Sequence, residues 1–207
     1  MGYCKKEIKE LLAEFKKPPS VQRDYVEITK TDKIRLLDFI KQDRPEYYGI
    51  TYFLIRLGWR IDETLSVQKK NVKLNGLRPI AVKLEKDFRK NKRDFVLETI
   101  DDGLAVIIQR YLFKDKESKW LFPSSRGNKI SSNNYREYLA KISQELLGKR
   151  LHPHLFRHSF VVQAALAGMP IRDVMAITGH LDIDVVLKYY SHSTSQGREK
   201  VLAISEI

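Results

Sequence analysis

One short stretch of β texture, in a chain otherwise built of helical stripes, limits what this sequence can fold into. Ile80, Val82 and Leu84 alternate with Ala81, Lys83 and Glu85, and Phe95 to Leu97 repeats the texture. Asn91 supplies turn chemistry between the two runs, which predicts an antiparallel hairpin. On either side the apolar residues recur at helical spacing. Ile8, Leu11, Leu12 and Phe15 form a stripe that ends at Pro18-Pro19, so residues 1–20 read as a short helix and a stiff linker. A second helix is expected from Thr31 through Ile34, Leu37 and Ile40, with Leu36 beside that stripe, stopping before Pro45. A third covers about Tyr47 to Leu57 and breaks at Gly58, and Arg60 to Lys69 again reads helical. Helices are also expected after Asp101, through Leu104, Ile107, Ile108, Tyr111 and Leu112, and over Tyr135 to Leu147. The expected class is mainly α with a small antiparallel β-sheet, an α+β domain.

Charge narrows the partner. Among 207 residues, 38 Lys and Arg face 26 Asp and Glu, a net +12, and the excess needs a polyanionic explanation. Double-stranded DNA is the leading candidate. Six basic residues crowd the hairpin tip: Lys83, Lys86, Arg89, Lys90, Lys92 and Arg93. They read either as a solvated tip or as a basic ribbon laid along phosphates. No run approaches the roughly 18 apolar residues of a membrane span. The single cysteine, Cys4, excludes an internal disulfide framework and suits a reducing cytoplasm.

All five histidines fall between His152 and His192. His152, His154 and His158 bracket Arg157 in HPHLFRHSF, and a helix follows through Phe160 to Ala167, ending at Gly168. A shorter helix, Ile171 to Thr178, ends at Gly179-His180, and another runs from about Asp182 towards Tyr189-Tyr190. A zinc site fits poorly, because no Cys, Glu or Asp stands at ligand spacing and Arg157 would repel a cation. A helix-turn-helix regulator is a second reading of LAGMPIRDVMAITGHLDIDVVLKYY. The third is metal-free phosphoryl transfer, with arginines and neutral donors around a phosphate that a tyrosine attacks.

The third reading gains from a resemblance. HPHLFRHSFVVQAALAG, then ITGH, then YYSH closely resemble the catalytic core of tyrosine recombinases, the phage integrases and their relatives. Upstream, LIRLGWRIDETLSV looks like that family's glycine-x-arginine-x-x-glutamate motif, with Gly58, Arg60 and Glu63 in place, and LFPSS is similar to its central segment. The match runs from about Ile28 to His192, so residues 21–207 are expected to be the catalytic domain. Members of the family carry an N-terminal DNA-clamping domain, of which residues 1–20 are expected to be a remnant, or else a short extension of a compact recombinase.

The resemblance implies roles. Arg60 and Arg157 would clamp the scissile phosphate, Glu63 would orient the site, His154 would assist proton movement, and His180 would hydrogen-bond a phosphate oxygen. His152 and His158 have no motif role and are expected to pack or cap. A hairpin lysine would protonate the leaving oxygen, Lys86 by preference and Lys90 as the alternative. Tyr190 is the preferred nucleophile because it sits in a tyrosine-small-histidine ending. Tyr189, nine residues after His180, is the alternative. Against Tyr190, it shares a helical stripe with Ile183, Val186 and Leu187, as a core tyrosine would. Lys83, Arg89, Lys90, Lys92 and Arg93 would hold DNA. No Walker-type glycine loop and no carboxylate cluster is present, so neither ATP nor metal is expected as a cofactor. A homotetramer on DNA, docked through the C-terminal segment, is the family's assembly, and a monomer is expected when the protein is free. A type IB topoisomerase is the competing enzyme.

Overall fold

The computed structural model describes residues 27–89, 92–98, 100–114 and 117–180, with residues 183, 186 and 187 of the segment beyond. The N-terminal stripe, Lys90, Tyr189, Tyr190 and the C-terminal docking segment lie outside the described residues.

Helix α1 spans Lys30–Asp43 and is started by a capping box. The Thr29 hydroxyl accepts the Asp32 N–H at 3.1 Å, and the Asp32 carboxylate accepts the Thr29 N–H at 3.0 Å. Its buried face differs from the expected stripe. Leu36 and Ile40, one turn apart, are fully buried, whereas Ile34 is half exposed. The two stripes overlap at Ile40, and packing against helix α2 selects the Leu36 side. Helix α2, Pro45–Leu57, takes Pro45 where a missing N–H costs nothing and ends at Gly58. It is the central helix, packed on α1 and on the helices Asp102–Lys114 and Pro153–Leu166.

The predicted helix from Arg60 to Lys69 is corrected by the structure. Only Ile61–Thr64 is helical (α3), and a 3-10 turn follows at Lys69–Asn71. Between them the chain is pulled extended by a distant segment. Leu121 N–H donates to Val67 O at 2.9 Å, Lys69 N–H donates to Lys119 O at 2.9 Å, and Gln68 bridges Trp120. Backbone pairing with a partner some fifty residues away overrides local propensity here.

The sheet is antiparallel, in the order β1-β2-β3, with β1 Val72–Asn75, β2 Arg78–Leu84 and β3 Phe95–Leu97. Val82 pairs with Leu97 and Leu84 with Phe95 in the expected antiparallel hairpin. Strand β1 was not expected. Its signal was Asn75-Gly76, since Asn75 pairs with Arg78 across a two-residue loop. Four further helices complete the described fold: α4 Asp102–Lys114, α5 Ser132–Leu147, α6 Pro153–Leu166 and α7 Ile171–Thr178. An aromatic chain of edge-to-face contacts joins sheet to helices: Phe95 meets Trp59, Trp59 meets Phe53, Phe53 meets Phe122 and Phe122 meets Tyr111. A smaller cluster, Val161, Ala164, Val174 and Val186, packs α7 and the following segment on α6. Of that segment's expected stripe, Val186 is buried while Ile183 and Leu187 are largely exposed. No described helix is long and apolar enough to cross a membrane.

Candidate active site

Gly58 ends α2 with φ +60°, a left-handed conformation that costs an L residue roughly 1–2 kcal/mol. A Cβ there would also press into the Phe160 ring at 2.9 Å. The sharp exit drops Trp59 into the core and leaves Arg60 extended before α3. Glu63 then folds back: one carboxylate oxygen accepts the Arg60 backbone N–H at 3.2 Å, and the other lies 3.4 Å from Arg60 Nη1. Spacing of glycine, arginine and glutamate thus encodes a turn, a cation and its brace.

The second arginine arrives from the other side. Pro153 opens α6, placing His154 in its first turn and Arg157 one turn on, on the same face. Arg157 is buried to 5% exposure. Its Nη1 donates to Gly58 O at 3.1 Å and to Thr178 O, and its Nε donates to His180 Nε2 at 3.2 Å. Arg60 Nη1 reaches the next carbonyl, Gly179 O, at 3.5 Å. Two guanidinium groups therefore converge on the carboxyl end of α7, where unsatisfied carbonyls and the helix dipole favour cations. Trp59 Nε1 donates to Ile177 O at 3.0 Å and ties that end in place, a contact without a sequence motif.

His180 follows the left-handed Gly179 that caps α7. Because its Nε2 accepts from Arg157, the ring proton belongs on Nδ1, 2.7 Å from Thr178 Oγ1, and that hydroxyl donates in turn to Val174 O. Burial, then the charges of Arg157 and Arg60, push His180 down to about 3. It is a neutral ring at any physiological pH. The expected phosphate-donating position of His180 is thus occupied here by the Arg157 contact. His154 is more exposed, and its pKa is lowered by partial burial, His152, Arg157, Arg60 and Arg136. His152 stands at the N-cap of α6 with its ring 6.4 Å from that of His154, and His158 is half-buried on α6.

The hairpin divides into two. Lys83 is clipped to Asp94 at 2.7 Å, and the Lys86 N–H donates to the same carboxylate at 2.7 Å. Lys86, Lys92 and Arg93 are exposed. Arg89, expected to hold DNA, is buried at 5% exposure and directed towards Glu63. Its Nε is 3.6 Å from Glu63 Oε1, and its guanidinium lies over the Phe95 ring. A surface reading of six close basic residues could not single it out, because its partners lie on other elements. Arg136 was missed for the same reason. It pairs with Asp62 at 3.2 Å and lends positive charge near His154. Among the described residues no group of three or more His, Cys, Asp and Glu side chains could hold a metal ion.

In this mainly helical domain with a three-stranded sheet, Arg60, Arg157 and a neutral His180 meet at a helix carboxyl end, a cationic setting that suits an oxyanion. The profile of the Phage integrase family matches residues 27–196, and the chain belongs to that family. It is 31% identical over 183 residues to tyrosine recombinase XerA of Thermococcus kodakarensis, covering 86% of this chain and 62% of that protein's length. The crystal structure of XerA recombinase superposes with a TM-score of 0.69 at 18% identity, covering 88% of this chain and 66% of that one. XerH site-specific recombinase bound to palindromic difH substrate, a post-cleavage complex, superposes with a TM-score of 0.66 at 16% identity, covering 88% of this chain and 54% of that one.

Proposed function

We propose that this domain cleaves and rejoins double-stranded DNA at defined sites through a covalent 3′-phosphotyrosyl intermediate, with neither metal nor ATP. The observation that carries the reading is the convergence of Arg60 and Arg157 on the end of α7, with His180 kept neutral there and the His154 pKa lowered by burial and nearby positive charge. Attack on a phosphodiester builds charge on the non-bridging oxygens, and prepositioned guanidinium forks stabilise that charge without reorganising.

Tyr190 Oη, or Tyr189 Oη in its place, attacks the scissile phosphorus. A P–O bond forms to the tyrosine as the bond to the 5′-oxygen breaks. The phenol proton leaves towards His154, neutral and able to accept it. Lys86 Nζ, or Lys90, supplies the proton to the departing 5′-oxygen. Attack by a 5′-hydroxyl on the phosphotyrosine reverses every step, so bond energy is conserved. His180 gives up its Arg157 contact when a phosphate oxygen arrives, and the freed ring turns to donate to it. Glu63 holds Arg60, and Lys83, Lys92 and Arg93 grip the flanking duplex.

Residues 21–207 form the catalytic unit of this reading, acting on cytoplasmic DNA as a homotetramer assembled through the C-terminal segment. Incubation with a nicked suicide substrate carrying candidate sites tests it. The expected result is a site-dependent covalent adduct, lost in Tyr190→Phe and kept in Tyr189→Phe. Site-independent relaxation of supercoils would point instead to topoisomerase behaviour, and binding with no adduct to a regulator.

A further inference from the structure

Arg89 is out of keeping with its surroundings. It sits in the loop of residues 85–94, whose described lysines and other arginine face solvent, yet its own side chain is 4% exposed. A buried guanidinium is retained only where acceptors and counter-charge await it. They do here. Glu63, itself 3% exposed, presents Oε1 to both Arg60 Nη1 at 3.4 Å and Arg89 Nε at 3.6 Å. Arg89 Nη1 donates to Arg93 O at 3.4 Å, which closes the hairpin tip across its own base. The Phe95 ring lies 4.9 Å beneath the guanidinium carbon. Nη2 rests against Gly179 so closely that a Cβ at that position would overlap it. One hairpin side chain thus touches the brace of the first arginine and the turn that presents His180.

Its neighbour holds the opposite side. Phe88 meets the Trp120 ring edge-on at 6.1 Å, and Lys129 Nζ lies over both rings. Consecutive residues therefore fasten the tip in two directions, with Lys86 three residues before Arg89 and Lys90 immediately after it.

We propose that Arg89 is a positioning residue: through Glu63 and Gly179 it locks the basic hairpin to the arginine site, so that the hairpin's proton-donating lysine stands at the leaving 5′-oxygen. The catalytic half of this inference rests on the strand-cleavage reading above, and the anchoring half does not. A misplacement of about 1 Å in a reacting group costs on the order of 100-fold in rate, which sets the expected effect.

Two measurements on the full chain test it. Hydrogen exchange of the backbone amides in residues 85–94 is compared between wild type and Arg89→Met, and exchange there is expected to rise at least about tenfold while α2 and α6 are unchanged. Single-turnover cleavage is then measured on an ordinary suicide substrate and on one with sulfur replacing the bridging 5′-oxygen, which departs without a proton. Arg89→Met should slow cleavage about 100-fold on the ordinary substrate and only a few-fold on the sulfur substrate. Arg89→Lys, which keeps the charge at Glu63, should fall between, and it carries both measurements if Arg89→Met fails to fold. Unchanged hairpin exchange overturns the anchor, and equal losses on both substrates overturn the link to the proton donor. If wild type forms no adduct, the cleavage reading fails, while loosened hairpin exchange in the variant still supports the anchor.

Discussion

Two sets of basic residues stand close together in this molecule and have opposite physics. Arg60, Arg89 and Arg157 are held by fixed acceptors: the Glu63 carboxylate and the carbonyls of Gly58, Arg93, Thr178 and Gly179. Lys86, Lys92 and Arg93 are exposed at the hairpin tip, and Lys83 has a half-exposed ion pair with Asp94. A charge kept in a low-dielectric, prepositioned setting acts strongly over short range, whereas exposed charges are screened within about 8–10 Å. Under the proposed function the first set acts on one phosphate and the second gathers many. Net charge alone does not separate them.

The sharpest break of that contrast is Arg157→Ala. Under the proposed function it removes a transition-state donor, and it takes the Arg157 hydrogen bonds away from the carbonyls of Gly58 and Thr178. Adduct formation is expected to fall by at least about 1,000-fold. Stability should fall by about 2–4 kcal/mol, read by urea denaturation. A variant that retained full stability would show that those carbonyls find other donors.

A smaller effect comes from the neutral histidine between the two arginines. His180 has its folded pKa far below the unfolded value of about 6.5, so between those values the unfolded chain binds the extra proton. Stability therefore rises with pH there: the contribution is complete above about 6.5 and drains away as pH falls towards 3. Partial exposure discounts its size. Wild type should lose about 1 kcal/mol more than His180→Gln between pH 6.5 and 4.5, by urea denaturation at each pH. Equal slopes would mean that the ring is solvated enough to protonate freely.

The smallest stability effect belongs to the exposed set. Lys92→Ala and Arg93→Ala should each change folding stability by no more than about 0.5 kcal/mol. Each should also reduce the slope of log affinity for DNA against log salt by about 0.9, measured by titration at several salt concentrations. A stability loss as large as that of Arg157→Ala would erase the contrast between the two sets.

Local chemistry made much of the fold legible. Gly58 and Gly179 were placed correctly as helix ends because a left-handed cap is a property of a few adjacent residues. Helices α2, α4, α5 and α7 and the β2–β3 pairing followed from periodicity alone. The failures share one cause. Residues 67–69 left the helix because residues 119–121 pair with them, and α1 turned its Leu36 face inward because α2 lies there. Strand β1 is the exception, since its turn has a local signal in Asn75-Gly76.

The site divides the same way. Sequence by itself determined which residue types could act on a phosphate and which positions carry the family's motif: Gly58, Arg60, Glu63, His154, Arg157 and His180. It also determined the helical turn that puts His154 and Arg157 on one face. Only the tertiary structure decided that Arg60 and Arg157 meet at the end of α7, that His180 is neutral, and that Arg89 is buried against Glu63 and Gly179 rather than exposed. The reason is physical. A turn or a cap is specified by neighbours along the chain, but the burial and pairing of a charge depend on groups that only folding brings within a few ångströms.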